Sequence, residues 1–170
     1  MWKNKGSVTM ELTINELKEE DLDNALKIWN EVVREANAFP QTEEMKRDEA
    51  LEFFSSQSFT GTAKIDDKLA GIYILHPNNV GRCSHIANTS YAVDKEIRGK
   101  HIGRELVKHS LEKARELNFK ILQFNAVVKS NKGAIHLYES LGFKKLGVIP
   151  GGYLKKDGTY EDIISYIYEL

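Results

Sequence analysis

A single cysteine, Cys83, stands in a chain of 170 residues, so no disulfide can form within one molecule. That count fits a reducing compartment better than a secreted, cross-linked scaffold. Cys83-x-His85 looks like half a zinc site, but no second pair at ligand spacing accompanies it, and no metal is expected. Charge of one sign is missing as well. The 24 basic and 25 acidic side chains give a formal net charge of −1, whereas a duplex-binding module carries a basic surplus. The lysine pairs Lys144-Lys145 and Lys155-Lys156 are scattered and read as solvated faces. The longest apolar run, "LAGIYIL" (Leu69 to Leu75), is far too short to span a bilayer. The N-terminal "MWKNKGSVTM" has no apolar h-region. A soluble, cytoplasmic protein without nucleic-acid or membrane partners is expected. Residues 1–9 read as a poorly structured leader, with Met10 available as an alternative start, and residues 10–170 as one domain.

What is present suits one well-cored globular domain, with 41% hydrophobic and 29% charged residues. "ELTINEL" predicts a first strand. From Asp21 to Ala36, Leu22, Ala25, Leu26, Trp29, Val33 and Ala36 recur at helical spacing behind a fair N-cap, Asp21. Pro40 breaks that pattern, and Thr42 with two following glutamates restarts a shorter helix that ends near Phe54. Strands at 59–65 and 68–75 flank Asp66-Asp67, a tight hairpin signal. A strand at 85–93, a helix to about Leu117 and the strand "KILQFNAVV" follow closely enough to imply a right-handed parallel crossover. In that last strand Leu122, Phe124, Ala126 and Val128 are expected on one face, with Gln123 and Asn125 on the other. "NKGAIHLYESLGF" predicts a short helix closed by Gly142. Strands at about 143–149 and 160–169 finish the chain, joined by a loop holding Pro150, Gly151-Gly152 and Asp157-Gly158. The order predicts an α+β (mixed α/β) fold with about four helices on a mostly antiparallel sheet containing one parallel crossover.

The loop "EIRGKHIGREL", Glu96 to Leu106, sits at that crossover, where a helix N-terminus exposes unpaired N–H groups and the positive end of its dipole. Arg98, Lys100 and Arg104 add positive charge, and Gly99 and Gly103 permit close backbone approach. An anion, most naturally a phosphate, suits such a place. Neither G-x-x-x-x-G-K-[ST] nor G-x-G-x-x-G is present, so on its own the loop reads equally as an anion site or as a charged turn.

Arg98-Gly99-Lys100-His101-Ile102-Gly103 closely matches the [RQ]-x-x-G-x-[GA] motif of the GCN5-related N-acetyltransferases, the GNAT family. Asn131 through "LYESLGF" resembles that family's second signature, N-x-x-A-x-x-[LF]-Y-x-x-x-G-F. The element order agrees from about residue 11 to the C-terminus. The resemblance implies a GNAT-like fold and acetyl-CoA as cosubstrate, its pyrophosphate on residues 98–104 and its pantetheine arm beside strand 85–93. His101 stands where the motif has its first glycine. Backbone N–H is what the loop supplies, so binding is expected to survive, at some cost if φ there must be positive.

The resemblance also assigns Tyr138 the role of general acid toward the departing thiolate. The other reading is core packing, because Tyr138 shares a helical stripe with Ala134, Leu137 and Leu141. A backbone N–H near Tyr91, Ala92 or Val93 is expected to polarise the thioester carbonyl. Asn131 is expected to contact the cosubstrate, to cap its helix, or both. No carboxylate stands out as a general base. Asn88 and Asn125, on adjacent parallel strands, could hold the acceptor amine or an ordered water, or could simply satisfy backbone groups. Phe39 in "NAFPQ" and Asp162 in the C-terminal hairpin are candidate acceptor contacts, with Tyr153 and Tyr160 nearby. "RCSHIANTSY" with "LQFNAVVKSN" is also similar to a subset that includes fungal acetyltransferases acting on proline analogues, which implies a small amino-acid-like acceptor. Two alternatives stay open: a protein or peptide acceptor, and a catalytically silent acyl-CoA-binding module. The resemblance allows a homodimer, though no exposed apolar stripe argues for one.

Overall fold

Asp66-Asp67 closes the first hairpin with both residues at positive φ, 48° and 65°. That is the mirror-image turn matching the twist of two antiparallel strands. The strands it joins are β2 (Phe59–Ile65) and β3 (Lys68–Pro77), with β1 (Leu12–Glu16) on the outer side of β2 and β4 (Ile86–Val93) beyond β3. β5 (Ile121–Val128), β6 (Lys144–Leu154) and β7 (Tyr160–Glu169) complete a seven-stranded sheet in the order β1-β2-β3-β4-β5-β7-β6. Only β4 and β5 run parallel. This computed structural model describes residues 11–170, and the leader expected over residues 1–9 lies outside them.

One face of the sheet carries α3 (Ile102–Glu116) and α4 (Lys132–Ser140), over a core that includes Leu75, Leu106, Leu122, Phe124 and Tyr166. The other carries α1 (Leu22–Glu35) and α2 (Arg47–Ser55), packed on Ile72, Ile74 and Ala92. Trp29 anchors that second layer, with its ring centroid 4.4 Å from Phe39 and 5.5 Å from Phe54. The apolar spacing seen in the sequence becomes the buried stripe of α1: Leu22, Ala25, Ile28, Trp29, Val32 and Val33. Asp21 precedes the helix but gives it no side-chain cap; its carboxylate instead meets Lys64 at 2.8 Å.

Three local expectations are corrected. The helix expected from Thr42 begins only at Arg47. Asn30 clamps Met45 by accepting from its N–H (3.0 Å) and donating to its carbonyl (2.9 Å), while Arg34 holds Glu44 at 2.8 Å. Those tertiary bonds outweigh the local signal and keep residues 36–46 as an ordered strap. In β5 a bulge between Phe124 and Val127 moves Val127, rather than Ala126 or Val128, into line with Leu122 and Phe124. Third, Pro150, Gly151 and Gly152 lie inside β6, where another irregularity spans Ile149 to Tyr153, and the connection to β7 is confined to residues 155–159. An edge strand tolerates this because proline removes no needed donor there. That edge leaves Leu146, Ile149 and Leu154 exposed, an apolar row that the sequence alone does not reveal.

Candidate functional site

β4 and β5 are paired only at Ile86–Ile121 and Ala87–Leu122, and then part. The peptide groups of His85 face β5, since its carbonyl accepts from Lys120 N–H (2.9 Å), whereas Asp94 N–H turns the other way, to Ala70 (2.9 Å). Strand alternation therefore points the peptide groups of Thr89, Tyr91 and Val93 into the gap. Ala92, buried on the α1 side, directs its own toward β3. Of the three residues considered for polarising a carbonyl, Tyr91 and Val93 thus have the right aim.

At one mouth of the gap lies a cleft of about 970 Å³, lined by Tyr91, Val93, Arg98, Gly99, His101–Arg104 and Asn131, with Glu35 across from them. Gly99 has φ of 84° and His101 of 61°, so the turn is left-handed at Gly99 and again at His101, where the motif has its first glycine. The first backbone bond of α3 runs from Glu105 N–H to His101 O (3.2 Å). The N–H groups of Ile102, Gly103 and Arg104 consequently have no intrahelical acceptor. Arg98 pairs with Glu35 at 3.1 Å, and Arg104 donates to Ser140 at 3.0 Å. Lys100 is exposed and outside the cleft lining. Three free donors, two guanidinium groups and a left-handed turn fit a pyrophosphate.

The gap's other side opens into a smaller cavity of about 260 Å³. Phe39, Asn88, Tyr91, Phe124, Asn125, Asn131 and Tyr138 line it together, although they come from four segments of chain: the strap, β4, β5 and α4 with its cap. Tyr91 and Asn131 also line the first cleft, so the two spaces share a wall. Asn131 caps α4 by accepting from Ala134 N–H (3.2 Å). Capping and cleft lining are compatible in this residue. Asn88 donates to Gln123 O (2.9 Å), and Asn125 bridges Gln123 (3.0 Å) and Asn78 (2.6 Å). Asp162 lies outside the cavity lining. Lys129, at 3.0 Å, with help from Gly151 N–H, holds its carboxyl below the usual range.

Two tyrosines meet at the shared wall with different hydrogen bonding. Ser110 donates to Val107 O (2.7 Å), which leaves its oxygen to accept from Tyr91 (2.7 Å), and Tyr91 in turn accepts from Thr89 (2.8 Å). The Tyr91 proton is therefore committed inward. Tyr138 packs its ring on Phe124 (4.3 Å) and Phe143 (5.7 Å), and no described residue hydrogen-bonds its hydroxyl. No described buried polar atom lacks a partner, so that unbonded hydroxyl is open to the cavity. Burial pushes its pKa up, with Tyr91 adding to the effect. It stays protonated at neutral pH and has a proton to give. Core packing and an available proton thus coincide in one side chain.

Sequence reading singles out Thr89, with Asn88 and Ser90, as polar groups of strand 85–93, but missed that the Thr89 proton is committed to Tyr91, and missed Glu35 as the partner of Arg98. Helical spacing does mark Glu35 as off the apolar stripe, but nothing in the sequence pairs it with residue 98. Tyr153, noted only as near the acceptor region, donates to Phe39 O at 2.8 Å and ties the strap to β6.

The model of the Acetyltransferase (GNAT) family matches residues 20–143. N-acetyltransferase aca1 of Schizosaccharomyces pombe is 35% identical over 170 residues, covering 89% of this chain and 80% of that protein. Among solved structures, a GCN5-related N-acetyltransferase from Kribbella flavida superposes with a TM-score of 0.87 at 26% identity, over 94% of this chain and 98% of the other. A GNAT superfamily phosphinothricin acetyltransferase from Sinorhizobium meliloti, in complex with AcCoA, shares the fold with a TM-score of 0.87 at 19% identity, over 94% and 88% of the two chains.

Proposed function

Because the chain belongs to the GNAT family of acetyltransferases, we propose that it transfers an acetyl group from acetyl-CoA directly to the amine of a small molecule of about amino-acid size. Acetyl-CoA supplies the activated thioester. The observation that carries the reading is the gap between β4 and β5, with a phosphate-suited cleft on one side and a smaller cavity bearing Tyr138 on the other.

Residues 98–104 hold the pyrophosphate with N–H groups and guanidinium charge. The peptide N–H groups of Tyr91 and Val93, free of strand partners, are aimed where a thioester carbonyl develops negative charge. Asn131 guides the arm between them. Tyr138 delivers its proton to the sulfur as the C–S bond breaks. A small acceptor is favoured over a peptide because the strap 36–46 walls the cavity with Ala38, Phe39 and Pro40. Asn88 and Asn125 offer amide groups at its rim. Homologous fungal and bacterial enzymes support N-acetylation in general, and the acceptor's size is read from this cavity.

The test is thiol release from acetyl-CoA against free amino acids, their analogues, polyamines and short peptides. We expect turnover with one small-molecule class. Tyr138→Phe should lower kcat by about 10²- to 10⁴-fold while acetyl-CoA still raises Tm. Unchanged turnover at every pH would remove the proton-donor assignment.

A further inference from the structure

The acceptor cavity is lined by Ala38, Phe39, Pro40, Asn88–Tyr91, Phe124–Val128, Asn131, Ala134 and Tyr138. None of these is a carboxylate, a histidine, a lysine or an arginine. Charged groups do stand nearby, but each is outside the lining and committed elsewhere. On α1, Glu35 holds Arg98. On β7, Asp162 holds Lys129, and Glu161 accepts from Ser130 N–H. On α4, Glu139 accepts from Tyr166 at 2.8 Å, behind Tyr138. Of the aromatic rings, β4 sets Tyr91 at 6.4 Å from Tyr138 and β5 sets Phe124 at 4.3 Å, and the other cavity residues of both strands are uncharged. The adjoining cleft adds Arg98, Arg104 and Lys132, which repel a cation, and the imidazoles of His101 and His136, both outside the cavity lining.

An ammonium entering this cavity would lose its water and gain no counter-charge, a transfer that proteins avoid by changing the protonation state. We infer that the acceptor enters as the uncharged amine, that the site therefore selects weakly basic amines, and that no side chain strips a proton from an ammonium before attack. The inference rests on the transfer reading given above for the chemistry that follows entry, but not for entry itself.

Atoms balance with no base other than the Tyr138 phenolate left by proton donation. The amine lone pair forms the N–C bond to the acetyl carbon, and the C–S bond breaks with its electron pair on sulfur. The nitrogen then carries one proton too many, and the sulfur one too few. Tyr138 gives its proton to the sulfur and is restored by the proton that leaves nitrogen. Tyr91 cannot substitute, because its proton lies on Ser110. Each pKa unit by which an amine exceeds the working pH lowers its free-base fraction tenfold, about 1.4 kcal/mol. That penalty falls on strongly basic amines and spares weak ones.

Alaninol, alaninamide and 2-aminopropionitrile test this, since they share a three-carbon skeleton while amine basicity falls in that order. The first measurement is calorimetric binding of each to the enzyme with CoA, in buffers of different ionisation enthalpy at pH 7. We expect proton release equal to the ammonium fraction of each free amine, largest for alaninol and smallest for the nitrile. The second is the pH profile of kcat/KM for total acceptor. It should rise about tenfold per pH unit to a break that moves down with the amine's own pKa. A break at one common pH would reveal an enzyme base and overturn the inference. Binding without proton release would overturn it equally, and failure of all three to bind would remove the cavity as an amine site. Binding with proton release but no thiol release would uphold the inference and sink the transfer reading.

Discussion

The two spaces that meet between β4 and β5 are built by opposite means. The phosphate-suited cleft concentrates its chemistry in seven consecutive residues, Arg98 to Arg104, and offers backbone N–H, a left-handed turn and guanidinium charge. The acceptor cavity gathers neutral side chains from four segments spread over residues 38 to 138, held by buried bonds such as Tyr153 to Phe39. A contiguous site survives changes elsewhere in the molecule and is tuned by its own residues. A distributed site is tuned by whatever holds its walls.

The sharpest way to break that contrast is to strip charge from the cleft. Arg98→Ala with Arg104→Ala should raise the Kd for acetyl-CoA about ten- to hundredfold at low salt, from two lost charge-assisted contacts. The loss should shrink at high salt, where screening has already weakened the wild type. Tm of the free protein should barely move, because Arg98–Glu35 is a half-exposed pair of small net worth. Titration of acetyl-CoA at two ionic strengths checks this, and equal losses at both would deny the cleft its electrostatic character.

A smaller effect is expected on the other side. Tyr153→Phe leaves the Phe39 carbonyl without its donor, at a cost of about 1–3 kcal/mol. The strap should loosen, with acceptor KM rising several-fold, Tm falling by a few degrees and acetyl-CoA Kd unchanged. A parallel rise in both constants would mean that the two spaces are not independently held.

How much of this the sequence made legible follows the same division. The cleft motif, Asn131 as cap and Tyr138 on its helix are all local patterns, and the strand and helix order follows from periodicity and turn residues. The acceptor wall was not so readable. Thr42 with its glutamates reads as a helix start, but Asn30 and Arg34, on the preceding helix, bind Met45 and Glu44 and hold the chain open. Asp162 looks like an acceptor contact until Lys129 claims it across the β5–β7 pair. In both cases the deciding partner is far away in sequence, and no local rule names it.

The smallest change expected concerns His101, whose φ of 61° is a conformation that glycine adopts freely. His101→Gly should relieve about 1–2 kcal/mol of backbone strain, partly offset by about 0.5–1 kcal/mol of unfolded-chain entropy. The net should appear as a rise of about 1–3 °C in Tm, with acetyl-CoA binding kept because the N–H groups stay in place. A fall in Tm would show that the imidazole contributes more than its backbone costs.

The bulge in β5 has a consequence of parity. Even-numbered residues face the α3 layer through Phe124, and odd-numbered ones from Val127 onward. The strand is thus written in two frames that change at one residue. Before the change its polar frame, Gln123 and Asn125, runs toward the acceptor rim, and after it Val128 takes that side against Tyr153 and Ile163. One added residue lets a single strand be polar beside the cavity and dry where the hairpin is anchored.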